Sequence, residues 1–109
     1  MAVLTPTQVT IAGVQVQKAA ADVAGDSFEP GTNLKFHVFN GSGGAITVTI
    51  VVPGTTKYGQ ADPDVTRSIP AGQEWAFGPF GNDLADPTTG LVNVTYSAVT
   101  TVTRVLLRG

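Results

Sequence analysis

The amino-acid sequence predicts an all-β fold, a small antiparallel β-sandwich of seven or eight short strands with little or no helix. Apolar and polar residues alternate along many short segments, and glycine and proline separate those segments. Helix signals are almost absent. A chain of 109 residues fits a single domain, 1–109, and can bury enough apolar surface for one core without covalent links.

The first 24 residues combine an alternating segment with one short helix candidate. Residues 7–12 alternate, and the alternation resumes one position out of phase at Val14 and Val16. A bulge or break at Ala12-Gly13 accounts for that shift, since glycine tolerates the required backbone. Residues 17–24 contain good helix formers but are too short for an independent helix, so a helical turn and a loop both stay open.

Two alternating runs flank the glycine-rich segment 40–44. The apolar residues of each run share one face, which is formed by Leu34, Phe36 and Val38 in the first run and by Ile46, Val48, Ile50 and Val52 in the second. Two such runs about a turn that can supply positive φ angles predict a β-hairpin.

Further strands are predicted over 65–69, 73–78, 92–96 and 100–107, with long loops at 53–63 and 81–90 between them. The shared phase of apolar residues also predicts the core. Its expected members are Phe36, Val38, Val48, Ile50, Trp75, Phe77, Val94 and Tyr96.

Composition excludes several classes of function. Charged residues make up only 13% of the chain, and the six basic residues are scattered, so we expect no nucleic-acid or membrane partner. The absence of cysteine excludes disulfides and thiolate metal sites. Residues 1–10 have neither a positive region nor a long apolar run, so we expect no secretion signal and assembly in the cytoplasm.

Candidate catalytic and metal-binding residues are few. His37 is the only histidine, no sequence neighbour supplies a nucleophile or carboxylate, and we expect it to be solvated beside Lys35. The spacing of the loop aspartates matches no calcium loop, and turn formation explains them better. These aspartates are Asp62, Asp64, Asp83 and Asp86. We therefore expect no enzymatic activity, no catalytic residue, no cofactor and no metal.

The order of several segments resembles a pattern of small proteins encoded beside capsid genes in tailed bacteriophages and prophages. The resemblance extends from about Asp26 to the end of the chain, and the N-terminal stretch up to Ala24 departs most from it. It is found in 25–28 (GDSF), 36–41 (FHVFNG), 46–50 (ITVTI), 69–72 (IPAG), 77–80 (FGPF), 92–97 (VNVTYS), 99–103 (VTTVT) and 106–107 (LL).

The resemblance implies a virion structural protein, either a capsid decoration (cement) protein or a minor head protein, with a jelly-roll-like sandwich. Such a protein bridges adjacent major capsid subunits on the capsid surface, often as a homo-oligomer, with a trimer favoured. An extended N-terminal arm at 1–7 would fit that role, although the sequence defines no interface. Two alternatives stay open: a tail or head–tail connector component, and a small carbohydrate-binding module presenting Trp75 or Tyr96.

Overall fold

The protein consists of two packed β-sheets in the computed structural model, which describes residues 2–55 and 57–109. The strands are β1 (Ala2–Val3), β2 (Thr7–Gln8), β3 (Ala19–Ala20), β4 (Asp26–Phe28), β5 (Leu34–Asn40), β6 (Ile46–Ile50), β7 (Val65–Ile69), β8 (Glu74–Phe77), β9 (Val92–Tyr96) and β10 (Val102–Arg108). The predicted β-sandwich is therefore confirmed.

Sheet 1 has the strand order β1-β4-β9-β6-β7, and sheet 2 has the order β2-β10-β5-β8, with β3 also pairing with β10. The seven strands of three or more residues pair antiparallel with one another. The two-residue strands β1 and β2 pair parallel with β4 and β10, respectively. The N-terminal segment thus lies at an edge of each sheet.

Alternating residues of the long strands point between the sheets and form the core. Three aromatic rings pack at its centre, since the Phe28 ring centroid lies 5.4 Å from that of Phe36 and 4.9 Å from that of Phe80. Of the predicted core residues, five are buried: Phe36, Val38, Val48, Ile50 and Val94. The other three are half-buried at the margin of the core: Trp75, Phe77 and Tyr96.

The predicted hairpin between the runs around segment 40–44 is wrong. Strand β5 pairs with β10 and β8 in sheet 2, whereas β6 pairs with β7 and β9 in sheet 1, so the turn is an arch that crosses between sheets. The side chain of Asn40 supports the crossing. Its Nδ2 donates to the carbonyl oxygens of Gly44 and Ile69, and its Oδ1 accepts from the backbone N–H and hydroxyl of Ser42.

The N-terminal segment has less regular structure than its alternation predicts. The break at Ala12-Gly13 is confirmed, because the Gly13 N–H bonds the Thr10 carbonyl and Gly13 has a φ of 89°. No strand extends across 9–18, however, because only 7–8 and 19–20 pair with β10. The candidate helix at 17–24 is instead the short strand β3 followed by a turn.

The expected arm at 1–7 is docked in the described residues, through Ala2–Val3 on β4 and Thr7–Gln8 on β10. Met1 lies outside the described residues. The strands predicted over 65–69 and 92–96 are confirmed, and those over 73–78 and 100–107 are shifted or shortened to β8 and β10. The loop 81–90 contains one 3₁₀ turn at Asn82–Leu84.

Candidate functional site

His37 lies on the outer face of sheet 2 and is not simply solvated. Its Nδ1 is 3.2 Å from Oε2 of Glu74 on the neighbouring strand, and the ammonium of Lys18 contacts the other oxygen of Glu74. The hydrogen bond from Lys18 lowers the pKa of the Glu74 carboxyl, and His37 acts in the same direction. The sequence could not indicate this carboxylate, since β8 follows β5 by more than thirty residues.

This arrangement differs from a catalytic triad in its third member. A carboxylate that orients a histidine is one part of nucleophilic catalysis, but a hydroxyl or thiol must lie on the other side of the imidazole. Here the third group is the ammonium of Lys18, which contacts Glu74 on the carboxylate side of the pair and lies 5.3 Å from the Phe39 ring centroid. We interpret the cluster as an ion pair that fixes the N-terminal segment across the outer face of sheet 2.

Of the loop aspartates, Asp86 holds a turn, as the sequence predicts, whereas Asp64 links the two ends of the loop between β6 and β7. Oδ1 of Asp64 accepts from the Val52 N–H at 2.9 Å, and Oδ1 of Asp86 accepts from the Thr88 N–H at 2.8 Å. Within residues 2–55 and 57–109, no group of three or more His, Asp or Glu side chains is placed to hold a metal ion. Those residues also contain no helix long and apolar enough to span a membrane.

The two aromatic residues considered for carbohydrate stacking both have other contacts. The Arg67 guanidinium lies 4.9 Å from the centroid of the half-buried Trp75 ring, and Nε1 of Trp75 donates to Gln73 at 3.2 Å. The Tyr96 hydroxyl donates to Oδ2 of Asp26 at 2.6 Å. A sugar would have to displace Arg67 to stack on that face of Trp75, and Tyr96 points into the interior.

A buried ion pair connects the two sheets. Arg104 on β10 donates from Nε to Oδ2 of Asp26 at 2.9 Å and from Nη2 to Oδ1 at 3.1 Å, which is a bidentate contact. Asp26 on β4 is fully buried, and Tyr96 on β9 completes the cluster. In the described residues, no buried side-chain nitrogen or oxygen lacks a hydrogen-bond partner.

The pKa values in this cluster follow from its geometry. Burial raises the pKa of the Tyr96 hydroxyl well above its usual range, and the hydrogen bond to Asp26 raises it further. The hydrogen bond to Asp26 raises the pKa of Arg104. Tyr96 therefore stays neutral at physiological pH and donates to Asp26, while the contact between Arg104 and Asp26 joins the two sheets.

The sequence contains a signal for this cluster that the core prediction did not use. Asp26 has the same phase as Phe28 on β4, and Arg104 has the same phase as Val102 and Leu106 on β10. A charged residue at a core position requires a partner, because an unpaired buried charge is very unfavourable. One acidic and one basic residue at core positions of two strands therefore predict a buried ion pair.

The outer face of sheet 1 is an uncharged surface of hydroxyl side chains. Thr49 on β6 pairs with Thr66 on β7 and with Thr95 on β9, so three threonines lie side by side across three strands. Thr47 pairs with Ser68 in the adjacent row. We call these five residues the hydroxyl face. Their spacing follows the strand separation of about 4.8 Å.

Exposed large apolar side chains concentrate near the N-terminus. Of the seven such residues in the described part of the chain, five lie within the first 23 positions: Val3, Val9, Ile11, Val16 and Val23. Contiguous exposed apolar side chains commonly mark interaction sites. The hydroxyl face and this segment are therefore the two candidate interaction surfaces. No protein-family model, curated protein or solved structure matches the chain.

Proposed function

We propose that this protein is a virion structural protein without catalytic activity that decorates and stabilises a tailed-phage capsid by bridging adjacent major capsid subunits. The order of segments from about Asp26 to the C-terminus supports the family assignment. The β-sandwich supports it only at the level of fold class, because one sandwich architecture serves many unrelated functions. The proposed location is the capsid surface, after assembly in the host cytoplasm.

The hydroxyl face is the observation on which the proposal chiefly depends. Charged residues are depleted at the centres of protein interfaces, because burying an unpaired charge costs far more than burying a hydroxyl group. The five residues of the hydroxyl face are threonine or serine: Thr47, Thr49, Thr66, Ser68 and Thr95. Asn93, which has the same outward phase as Thr95 on β9, is also uncharged. Such a face can lie against a shell surface and form hydrogen bonds along it without desolvating ions.

Bridging also explains how individually weak contacts are enough to hold the protein on the shell. A homo-oligomer, with a trimer favoured, would present several copies of the same face to neighbouring subunits. Linking the contacts raises the effective affinity by roughly 10²–10⁴ when the geometry allows simultaneous binding. Adjacent capsid subunits are in place only after assembly, so the assembled shell is the expected partner.

Co-sedimentation tests the proposal directly. The protein is mixed with mature shells and with unassembled major capsid subunits, at low and at high ionic strength. We expect binding to shells only, with little dependence on salt, because exposed charges contribute little to this surface. Equal binding to shells and free subunits would contradict the bridging role, and release by moderate salt would contradict an uncharged contact.

A pair of matched variants tests the face. Thr49→Asp places a charge at the centre of the hydroxyl face, whereas Thr103→Asp places the same charge at a half-buried strand position on the outer face of sheet 2. We expect Thr49→Asp to abolish shell binding and Thr103→Asp to retain it, with both proteins folded by circular dichroism. Retained binding in Thr49→Asp would exclude the hydroxyl face as the contact surface.

Electron microscopy of particles separates capsid decoration from the tail and connector alternative. Density for the protein repeated across the capsid surface supports decoration, whereas density confined to the tail or to the single portal vertex supports the alternative. The carbohydrate-binding alternative is less well supported, because Trp75 and Tyr96 contact Arg67 and Asp26, respectively.

A further inference from the structure

The N-terminal residues 2–9, here called the arm, are attached to the two sheets by edge contacts. Strand β1 pairs parallel with β4, and the Leu4 N–H bonds the Ser27 carbonyl at 2.7 Å. Strand β2 pairs parallel with the end of β10, and the Val9 N–H bonds the Arg108 carbonyl at 2.7 Å. The arm therefore pairs with an edge of each sheet, and its half-buried Leu4 packs against the core. We call the surface of β4 and β10 that the arm covers the seat.

Residues 10–18, here called the hinge, join the arm to β3. They turn back at Thr10–Gly13 and pair with no strand, yet their sequence alternates on each side of that turn, with a shift of one position across it. Ile11 is 109% exposed and Val16 is 48% exposed, next to Val9 at 44%. The hinge thus exposes apolar side chains and unpaired backbone, an arrangement that a second chain can cover.

We propose that two copies of this chain exchange their arms, so that the arm of each occupies the seat on β4 and β10 of the other. The seat cannot distinguish its own arm from that of a second copy, because every contact is identical in the two cases. Exchange also opens the turn at Thr10–Gly13. The two extended hinges can then pair, which places Ile11 and Val16, exposed in the closed form, beside side chains of the partner hinge.

The dimensions permit this exchange. Nine hinge residues span about 30 Å when fully extended, at about 3.3 Å per residue. The sandwich measures 45 × 35 × 19 Å, so the extended hinge is longer than its smallest dimension. An arm can therefore leave one sandwich and reach the same seat on an adjacent copy. Arm exchange is independent of the proposed capsid role, because it concerns only contacts within this chain.

Engineered cysteines at positions 9 and 109 test the proposal. A Cβ placed on Gly109 lies 3.7 Å from the Cβ of Val9, within the range that a disulfide requires, and the chain has no cysteine of its own. In Val9→Cys/Gly109→Cys, a closed arm gives an internally linked monomer on a non-reducing denaturing gel. Exchanged arms give a covalent dimer. We expect the dimer, in a fraction that rises when the protein is refolded at higher concentration.

Mixed single variants identify the bond. Val9→Cys and Gly109→Cys chains, one of them with a length tag, are refolded together and oxidised. We expect a mixed dimer linked through positions 9 and 109, identified by mass spectrometry of the joined peptides. Internal monomers of the double variant at every concentration, together with no mixed dimer, would overturn the proposal.

Hinge variants test the stated driving force. Ile11→Ser/Val16→Ser removes the apolar gain of the opened hinge and leaves the seat unchanged, so we expect the dimer fraction to fall several-fold in the cysteine background. The matched control Val23→Ser/Val65→Ser removes two exposed valines elsewhere and should leave the dimer fraction unchanged. Equal dimer fractions in both variants would contradict a role for the hinge.

Discussion

Arg104 and Asp26 lie 78 residues apart in the sequence and on different sheets, and their side chains form a bidentate ion pair inside the sandwich. The hydrogen bonds are 2.9 and 3.1 Å long. An apolar pair would hold the sheets together with less desolvation, but the bidentate geometry also fixes their relative position. We infer that this contact fixes the position of β4 relative to β10 across the space between the sheets.

Breaking the ion pair from one side should destabilise the fold strongly. Arg104→Met leaves the Asp26 carboxylate buried without its cation, and we expect a loss of about 3–5 kcal/mol in the free energy of unfolding, measured in urea. The triple variant Asp26→Leu/Tyr96→Phe/Arg104→Met removes every polar member and should be more stable than Arg104→Met. Wild-type stability in Arg104→Met would contradict the assignment.

The raised pKa of the Tyr96 hydroxyl predicts that the protein loses stability at alkaline pH. Its folded pKa lies above the unfolded value of about 10, so its contribution is complete below pH 10 and is lost as pH rises toward the folded value. Tyr96→Phe should cost about 1.5–3 kcal/mol at neutral pH, since the lost bond joins a charged group. The difference between wild type and Tyr96→Phe should shrink above pH 10, and a constant difference from pH 8 to 11 would refute this prediction.

Truncating an aromatic side chain should reduce the free energy of unfolding more in the core than on an edge strand. Phe36 is fully buried and packs on Phe28, so Phe36→Ala should cost about 3–5 kcal/mol. Trp75 is half-buried on the edge strand β8, and Trp75→Ala should cost clearly less. Thermal and urea unfolding of both variants provide the comparison, and equal losses would place Trp75 in the core.

Asn40 should be essential for the arch between β5 and β6. Asn40→Ala removes two donated and two accepted hydrogen bonds, and leaves the Ile69 carbonyl without that donor, so we expect a loss of about 1–3 kcal/mol in unfolding free energy. Asn40→Asp keeps the acceptor for Ser42 but cannot donate, and should also be destabilised. Ser42→Ala is the milder control, because it removes only the bonds of one hydroxyl.

The fold class could be predicted from sequence because alternation reports directly which side of a strand is buried. Val48 and Val94 occupy the expected inner positions for that reason. Alternation does not indicate which other strand is the hydrogen-bonded neighbour of a given strand. A hairpin and an arch give β5 and β6 the same alternation of apolar and polar residues. What distinguishes them is strand pairing: β5 has β10 and β8 as neighbours, and β6 has β7 and β9.

The candidate site was less predictable for related reasons. The pairing of His37 with Glu74, and the alignment of Thr49 with Thr66 and Thr95, depend on strand register between distant segments. The N-terminal alternation was misleading in another way. It indicated strand-forming residues over 9–16, but β10 pairs with the N-terminal segment only at 7–8 and 19–20, so the intervening residues have no neighbouring strand.

The contact between Arg67 and Trp75 has a spectroscopic consequence. Trp75 is the sole tryptophan, and its ring lies at the seam where edge strand β7 of one sheet meets edge strand β8 of the other. Its fluorescence therefore reports on that seam and not on the aromatic centre around Phe28. A seam that separates before the interior melts will shift the emission while the far-ultraviolet signal of the strands is still intact, so the chain contains its own optical probe of sheet separation.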